Sequence, residues 1–182
     1  LSHGHTDHCK DALQILRHSN ATLISNAEIV SWYKKQGFTN VHSMNIGGKH
    51  NFSFGILKAV VAIHSSSMPD GSYGGNPMGF IISSSEGNFY YSGDTALTTD
   101  MALIPKWAKL NFAVLPIGDN FTMDAADAAE ALPAEALRGH FLRQPVAALP
   151  AVPDSSLHRA LRRAGDTRAV RLARRAGLSA GD

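Results

Sequence analysis

Short apolar runs alternate with polar turns along residues 1–130, and their periodicity predicts interspersed helices and strands. Helices are predicted over 10–18, 27–36 and 98–104, and from about residue 122 onward. Strands are predicted over 21–25, 41–46, 51–54, 56–63, 79–83, 88–92 and 111–117. Asn26 is expected to cap the second helix and Gly37 to end it. The pattern therefore predicts an α/β fold.

Polar residues follow several of these predicted strands directly. His64 comes after the apolar run 59–63, Asp94 follows 90–93, and Asp119 follows 111–117. Taken alone, His64 could be a loop residue and Asp94 a turn residue. Functional side chains commonly lie on loops at strand ends, and together with the polar cluster at the start of the chain these positions favour a shared site for His64 and Asp94. For Asp119 we favour a turn or helix-capping role over support of a ligand.

The densest polar cluster stands at the start of the chain, where His3, His5, Asp7 and His8 form the pattern H-x-H-x-D-H. Imidazole and carboxylate are preferred ligands of zinc and similar divalent cations. His3 and His5 lie two apart in an extended segment and project to the same side, so they can bind one ion. Asp7 and His8 can bind a second ion if a helix begins there, and Gly4 lets the backbone approach the ions.

Two other interpretations of this cluster are a solvated histidine-rich loop and part of a purification tag. Four ligand-type residues in six positions, directly before a predicted helix, favour the metal site. Cys9 could also be a ligand or support one, but we favour a small residue in the first helical turn. As the single cysteine, it excludes an internal disulfide and indicates a reducing compartment, the cytoplasm.

Charge and composition divide the chain of 182 residues. Residues 1–130 hold 8 Lys+Arg against 11 Asp+Glu, whereas residues 131–182 hold 9 Arg, no Lys and 4 acids. We predict a domain over 1–130 and an Ala/Arg-rich tail over 131–182 that is out of frame or disordered. A genuine Arg-rich extension that contacts nucleic acid is the alternative. No apolar run approaches the roughly 18 residues of a membrane span.

The ligand-type residues and their order resemble the metallo-β-lactamase superfamily, and within it the metal-dependent hydrolases related to ascorbate-6-phosphate lactonase. The segments that carry the resemblance are 1–8, 62–66, 69–77, 92–97 and 115–123. The resemblance implies a four-layer αββα sandwich. It also implies two divalent ions, zinc first and manganese or iron as alternatives. His3, His5 and His64 would bind one ion, Asp7 and His8 the other, and Asp94 would bridge them.

The chain departs from the family pattern at both ends. The strands that the family places before H-x-H-x-D-H are expected to be missing, which would leave the first sheet incomplete. The family's last histidine ligand has one candidate, His140, which is followed by Phe141 but lacks an apolar strand before it.

The predicted function is hydrolysis of a small-molecule ester, lactone or phosphoester by a hydroxide that two metal ions activate. Asp7 is expected to orient the nucleophile or carry its proton, and Tyr73 to contact substrate, unless 70–76 is an ordinary surface loop. The alternatives are a catalytically inactive metal-binding fragment and a nuclease. The net acidic charge of residues 1–130 disfavours nucleic acid as the substrate.

Overall fold

The computed structural model describes residues 1–132 and the backbone of residues 141–143. The helices are α1 Thr6–Cys9, α2 Ala12–Ser19, α3 Ala27–Lys35, α4 Ile104–Trp107 and α5 Ala125–Glu130, with a 3-10 helix over Thr99–Leu103. The strands are β1 Leu23–Ser25, β2 Val41–Ser43, β3 Lys49–Phe52, β4 Gly55–Val61, β5 Met78–Ser84, β6 Gly87–Tyr91, β7 Phe112–Leu115 and β8 Phe141–Arg143. Within these residues, none of the helices combines the length and the apolar character needed to cross a membrane.

The strands form two sheets. β1 and β2 pair in parallel, and α3 connects them. The larger sheet has the order β3-β4-β5-β6-β7-β8, in which β3 to β6 pair antiparallel and β7 and β8 continue in parallel. β4 and β6 both pair antiparallel with β5 and therefore run in the same direction. Their C-terminal ends consequently lie close to one another along one edge of the sheet.

The helices and sheets form four layers, and three apolar clusters lie between them. The side chains of α3 pack with Leu23 of β1 in an outer cluster that also includes Met68. Ile24 of β1 faces the other way and packs against the Ala59 and Met78 side of the large sheet. The opposite face of that sheet, centred on Tyr90, packs against α4 and α5. The order helix, sheet, sheet, helix confirms the predicted αββα architecture.

Local sequence signals account for α3. The Asn26 side chain accepts a hydrogen bond from the Ile29 N–H at 2.9 Å, which satisfies one free donor of the first turn. The chain leaves the helix through Gly37, whose φ of +79° suits glycine. The predicted start, cap and end of this helix are therefore all present.

Three elements differ from the sequence prediction. The helix predicted over 98–104 is a 3-10 helix that continues into α4. Pro105 lies in the first turn of α4, where a helix tolerates proline because the N–H that proline lacks would have no partner within the helix. A separate short helix, α1, begins at Thr6 and is followed by α2, whereas a single helix was predicted from Lys10. Strand β8 was not predicted, because three residues in an Ala/Arg-rich segment carry too weak a pattern.

Candidate metal centre

The H-x-H-x-D-H segment runs between the two sheets and is held there through its backbone. The Met78 N–H donates to the Ser2 carbonyl at 3.0 Å, and the Ser25 hydroxyl donates to the Leu1 carbonyl at 2.8 Å. The Gly4 N–H donates to the Ser66 hydroxyl at 3.1 Å. The segment is extended up to His5 and then turns into α1. His3 and His5 therefore share one side, and the turn redirects Asp7 and His8, as the sequence reasoning required.

Three histidines converge on one point. Nε2 of His3 lies 3.1 Å from Nδ1 of His5. The ring of His64, which follows β4, lies 5.1 Å from the His3 ring and 5.0 Å from the His5 ring between centroids. One nitrogen of each ring falls within 4.8 Å of one nitrogen of the others. This spacing suits three ligands of a single cation.

A second group of potential ligands adjoins the first. Nε2 of His8 lies 3.3 Å from Oδ2 of Asp94, and Nε2 of His64 lies 3.9 Å from the same oxygen. His3, His8 and Asp94 also bring ligand atoms within 4.8 Å of one another. Asp94 thus stands between the two groups. The Asp7 carboxylate is 59 % exposed and lies 3.6 Å from His8 Nε2, beside the second group but outside that set.

The ring atoms that face away from the convergence point have partners of their own. The Ser2 hydroxyl lies 3.1 Å from His3 Nδ1, and the Ser65 hydroxyl lies 3.3 Å from His5 Nε2. His64 hydrogen-bonds to the backbone of Phe121. These contacts leave His3 Nε2 and His5 Nδ1 for a metal, since such outer partners fix the orientation and tautomer of ligating histidines. Sequence reasoning missed Ser2, Ser65 and Phe121, and only their adjacency to ligand-type residues or to a turn could have indicated them.

The electrostatics of the cluster fit neutral imidazole ligands around a carboxylate. Burial lowers the pKa of His3 to about 3, and the nearby His8 adds to this effect. Burial likewise lowers the pKa of His64. The hydrogen bond with Asp94 raises the pKa of His8. Burial works to raise the pKa of Asp94, but the hydrogen bond from His8 and the surrounding imidazoles hold it below its ordinary value.

Two glycines let the segments approach one another. Gly93, which precedes Asp94, has a φ of +62°, and a Cβ there would lie 2.6 Å from the Ser2 Cβ. Both the backbone conformation and the close contact therefore require glycine at this position. A Cβ on Gly4 would lie 2.6 Å from the Met68 Sδ and 3.0 Å from the Ser67 carbonyl oxygen. Gly4 thus permits close packing of the 65–68 segment, whereas the sequence had suggested an approach to the ions.

The remaining sequence candidates have varied positions. Tyr73 is 65 % exposed and its hydroxyl donates to Asn76 Oδ1, while its backbone bridges Ser67. Asp119 has a φ of +66° and sits in a turn in which its N–H donates to the Met123 carbonyl, as the structural interpretation expected. Cys9 ends α1 and its thiol donates to the Gly4 carbonyl at 3.2 Å. His140 lies outside the described residues.

Comparison with known proteins gives the class and then the family. A sequence model described as "Beta-lactamase superfamily domain" matches residues 1–139. The chain is 29 % identical to Igni18, a metallo hydrolase from Ignicoccus hospitalis, with a TM-score of 0.74 over 91 % of this chain and 71 % of that one. The metallo-β-lactamase fold protein YhfI from Bacillus subtilis is 14 % identical and superposes with a TM-score of 0.62, over 92 % of this chain and 68 % of YhfI. The chain therefore has the metallo-β-lactamase fold, and it belongs to the β-lactamase superfamily.

Nearer relatives share the chain's sequence over the same region. A UPF0173 metal-dependent hydrolase from Flavobacterium johnsoniae is 58 % identical over 128 residues, which are 70 % of this chain and 56 % of the relative. One from Methylacidiphilum infernorum is 49 % identical over 131 residues, which are 72 % of this chain and 58 % of that protein. The chain thus spans a little over half the length of these relatives.

Proposed function

We propose that residues 1–130 form a metal-dependent hydrolase domain that acts on an ester, lactone or phosphoester bond of a small molecule. The observation that carries this proposal is the convergence of His3, His5 and His64 beside the His8–Asp94 pair. The names of the UPF0173 relatives and the superfamily match support it. The ascorbate-6-phosphate lactonase-like branch remains a prediction within this proposal.

We assign His3, His5 and His64 to one divalent ion, and Asp7 and His8 to a second, with Asp94 between them. Imidazole nitrogen with carboxylate oxygen is a donor set that suits zinc first and also manganese or iron. The set fits such ions because His3 is buried and stays neutral at physiological pH, so its nitrogen lone pair is available.

When bound, the ions supply Lewis acidity and lower the pKa of water, so that a hydroxide is available at neutral pH. The protein's own contribution is positional. Ser2 and Ser65 fix the rings of His3 and His5, and Asp94 keeps its charge beside His8. Asp7, the most exposed carboxylate of the cluster, is placed to hold the nucleophile or accept its proton, so we propose it as the catalytic residue.

We propose that the substrate is a small molecule. We also propose a cytoplasmic location, because the single cysteine, Cys9, is free and buried. A nucleic-acid substrate is disfavoured, because residues 1–130 carry 8 basic against 11 acidic side chains. The rival proposal is a metal-binding chain without catalytic activity. The exposure of Asp7 favours it, because this carboxylate lies outside both convergent groups.

Metal content tests the proposal and separates it from its rival. The purified full chain, dialysed against zinc and then against metal-free buffer, is expected to retain two ions by plasma mass spectrometry. It should also hydrolyse 4-nitrophenyl acetate or bis(4-nitrophenyl) phosphate. His64→Ala should lose one ion and weaken zinc binding by at least the roughly 100-fold seen on loss of an outer partner. His18→Ala, on the exposed side of α2, is the matched control.

One retained ion with no hydrolysis of either compound would favour the inactive metal-binding chain. Retention of no zinc, or equal zinc retention by the wild type and His64→Ala, would overturn the proposed metal site.

A further inference from the structure

Two residues that adjoin His64 have large apolar side chains that are largely exposed. Ile63 directly precedes His64 and is 57 % exposed. Phe121, whose backbone hydrogen-bonds to His64, is 72 % exposed. One of these residues thus adjoins the proposed ligand through the chain and the other through a hydrogen bond.

The backbones that carry these side chains are firmly held. The Ile63 N–H donates to the Thr95 hydroxyl at 2.9 Å, and the Ile63 carbonyl accepts from Ala96 at 3.0 Å. The turn that contains Phe121 is closed by the bond from Asp119 to Met123, and the Met123 N–H donates to the Thr95 carbonyl at 3.0 Å. Thr95 is fully buried and so ties both segments together. The backbone positions of Ile63 and Phe121 are therefore fixed by the same buried residue.

Single exposed apolar residues are common on protein surfaces and need no function. Ile15 on α2, which is 61 % exposed, is such a residue. Ile63 and Phe121 differ from it because both adjoin the same proposed metal ligand, from two separate parts of the chain. Apolar walls with a few convergent polar groups are the usual composition of a small-molecule site.

The polar groups that contact the histidines indicate whether the substrate is charged. In residues 1–132, the groups that contact the histidines are the Ser2 and Ser65 hydroxyls, the Phe121 backbone, and the carboxylates of Asp7 and Asp94. None of these described groups is a cation, so the positive charge that an anionic substrate requires would come from the bound ions alone, beside two carboxylates. This surrounding suits an uncharged acyl compound better than a phosphomonoester.

We propose that the site takes an uncharged ester or lactone that bears an apolar group, and that Ile63 and Phe121 bind this group. The inference rests on the proposed hydrolase function and narrows its substrate class. In the reaction, the oxygen of water bonds to the acyl carbon and the acyl carbon–oxygen bond breaks. The products are a carboxylate and an alcohol, with one proton released. Ile63 and Phe121 act as specificity determinants that hold the acyl group.

A series of 4-nitrophenyl esters tests the inference on the zinc-loaded full chain. From acetate to hexanoate, kcat/KM is expected to rise about tenfold or more, which corresponds to burial of roughly two of the four added methylenes. Phe121→Ser and Ile63→Ser should each flatten this rise. Ile15→Ser, at a residue of similar exposure on α2, should keep the full chain-length dependence.

Binding provides a readout that does not need turnover. By calorimetry, hexanoate should bind the zinc-loaded wild type about tenfold more tightly than acetate, and this difference should vanish in Phe121→Ser. Equal binding of the two acids, or a chain-length dependence that survives both variants, would overturn the apolar subsite. The hydrolase proposal fails by a separate result, namely zinc retention without hydrolysis of any ester or diester, and the binding comparison still decides the subsite in that case.

Discussion

The partner of each histidine's outward-facing nitrogen decides which nitrogen is left for a metal. His3 has the Ser2 hydroxyl at Nδ1, and His5 has the Ser65 hydroxyl at Nε2. The two inward nitrogens, His3 Nε2 and His5 Nδ1, consequently lie 3.1 Å apart. Ser2 is itself only 3 % exposed, so water cannot easily replace its hydroxyl. We therefore regard Ser2 as a positioning residue of the proposed metal site.

Ser2→Ala should weaken zinc binding by about 10-fold, and by no more than about 100-fold, because the His3 ring loses its outer partner. Competition with a chromophoric chelator measures this affinity directly. Ser19→Ala provides the control, since that hydroxyl donates to the Ile15 carbonyl on the exposed part of α2. An unchanged zinc affinity in Ser2→Ala would show that Ser2 only fills space.

Among the individual residues, the sequence identified the ligand types but not their supports. His3, His5 and His8 stand out because imidazoles at this density are uncommon and chemically specific. Serine is common in loops, and nothing in the sequence distinguishes Ser65 from Ser67. Only the tertiary contact with His5 gives Ser65 its role.

At the scale of elements, α3 holds the loop that leads away from His64. The Asn26 amide donates to the Gly74 carbonyl at 2.8 Å and to the Asn76 carbonyl at 3.2 Å, while its oxygen caps α3. Gly75, with a φ of +73°, lies against this side chain, and a Cβ there would lie 2.4 Å from the Asn26 amide nitrogen. The loop that begins at Ser65 is therefore attached to α3 through one buried side chain.

Asn26→Ala should lower the free energy of unfolding by about 2–3 kcal/mol, because it removes the cap and leaves two carbonyls without their donor. Chemical denaturation measures this change. Asp124→Ala is the matched control: within residues 1–132 the Asp124 side chain caps α5, through the N–H groups of Ala126 and Asp127, and its loss should cost about 1 kcal/mol. Equal losses in the two variants would contradict the proposed attachment of the loop.

The elements themselves were predicted unevenly. Long strands such as β4 and β5 follow from continuous apolar runs, and the hairpin from β5 to β6 turns between the predicted strands 79–83 and 88–92. The short helix α1, which lies before the predicted helix over 10–18, was not predicted as a separate element, because four residues are too few to show helical periodicity. Asn26 was predicted as a cap, but its bonds to Gly74 and Asn76 join positions about 50 residues apart and leave no local signal.

At the scale of the whole molecule, the candidate metal centre joins segments that belong to different layers. His3 and His5 precede α1, His64 follows β4, and Asp94 follows β6. Direct contacts between these side chains are imidazole–imidazole and imidazole–carboxylate pairs, which are weak without a cation. A bound ion would therefore connect the two-stranded sheet region to the large sheet and stabilise the folded chain.

Zinc at about 100 times its dissociation constant should stabilise the folded protein by about 2.7 kcal/mol per independent site. Thermal unfolding followed by circular dichroism should show a higher midpoint with zinc, and excess chelator should reverse the shift. His64→Ala should lose most of this gain. A midpoint that zinc leaves unchanged would indicate that zinc does not bind the native fold in preference to the unfolded chain.

The sequence by itself determined the α/β class, the superfamily and the set of ligand-type residues, because these depend on local periodicity and on chemically rare side chains. The tertiary structure decided how the candidate centre is assembled. It placed Asp94 between His8 and His64, left the Asp7 carboxylate exposed, and brought the backbone of Phe121 to His64. These features depend on how β4, β6 and the turn at 118–123 pack around Thr95, and contacts between residues distant in the chain leave no periodic trace in it.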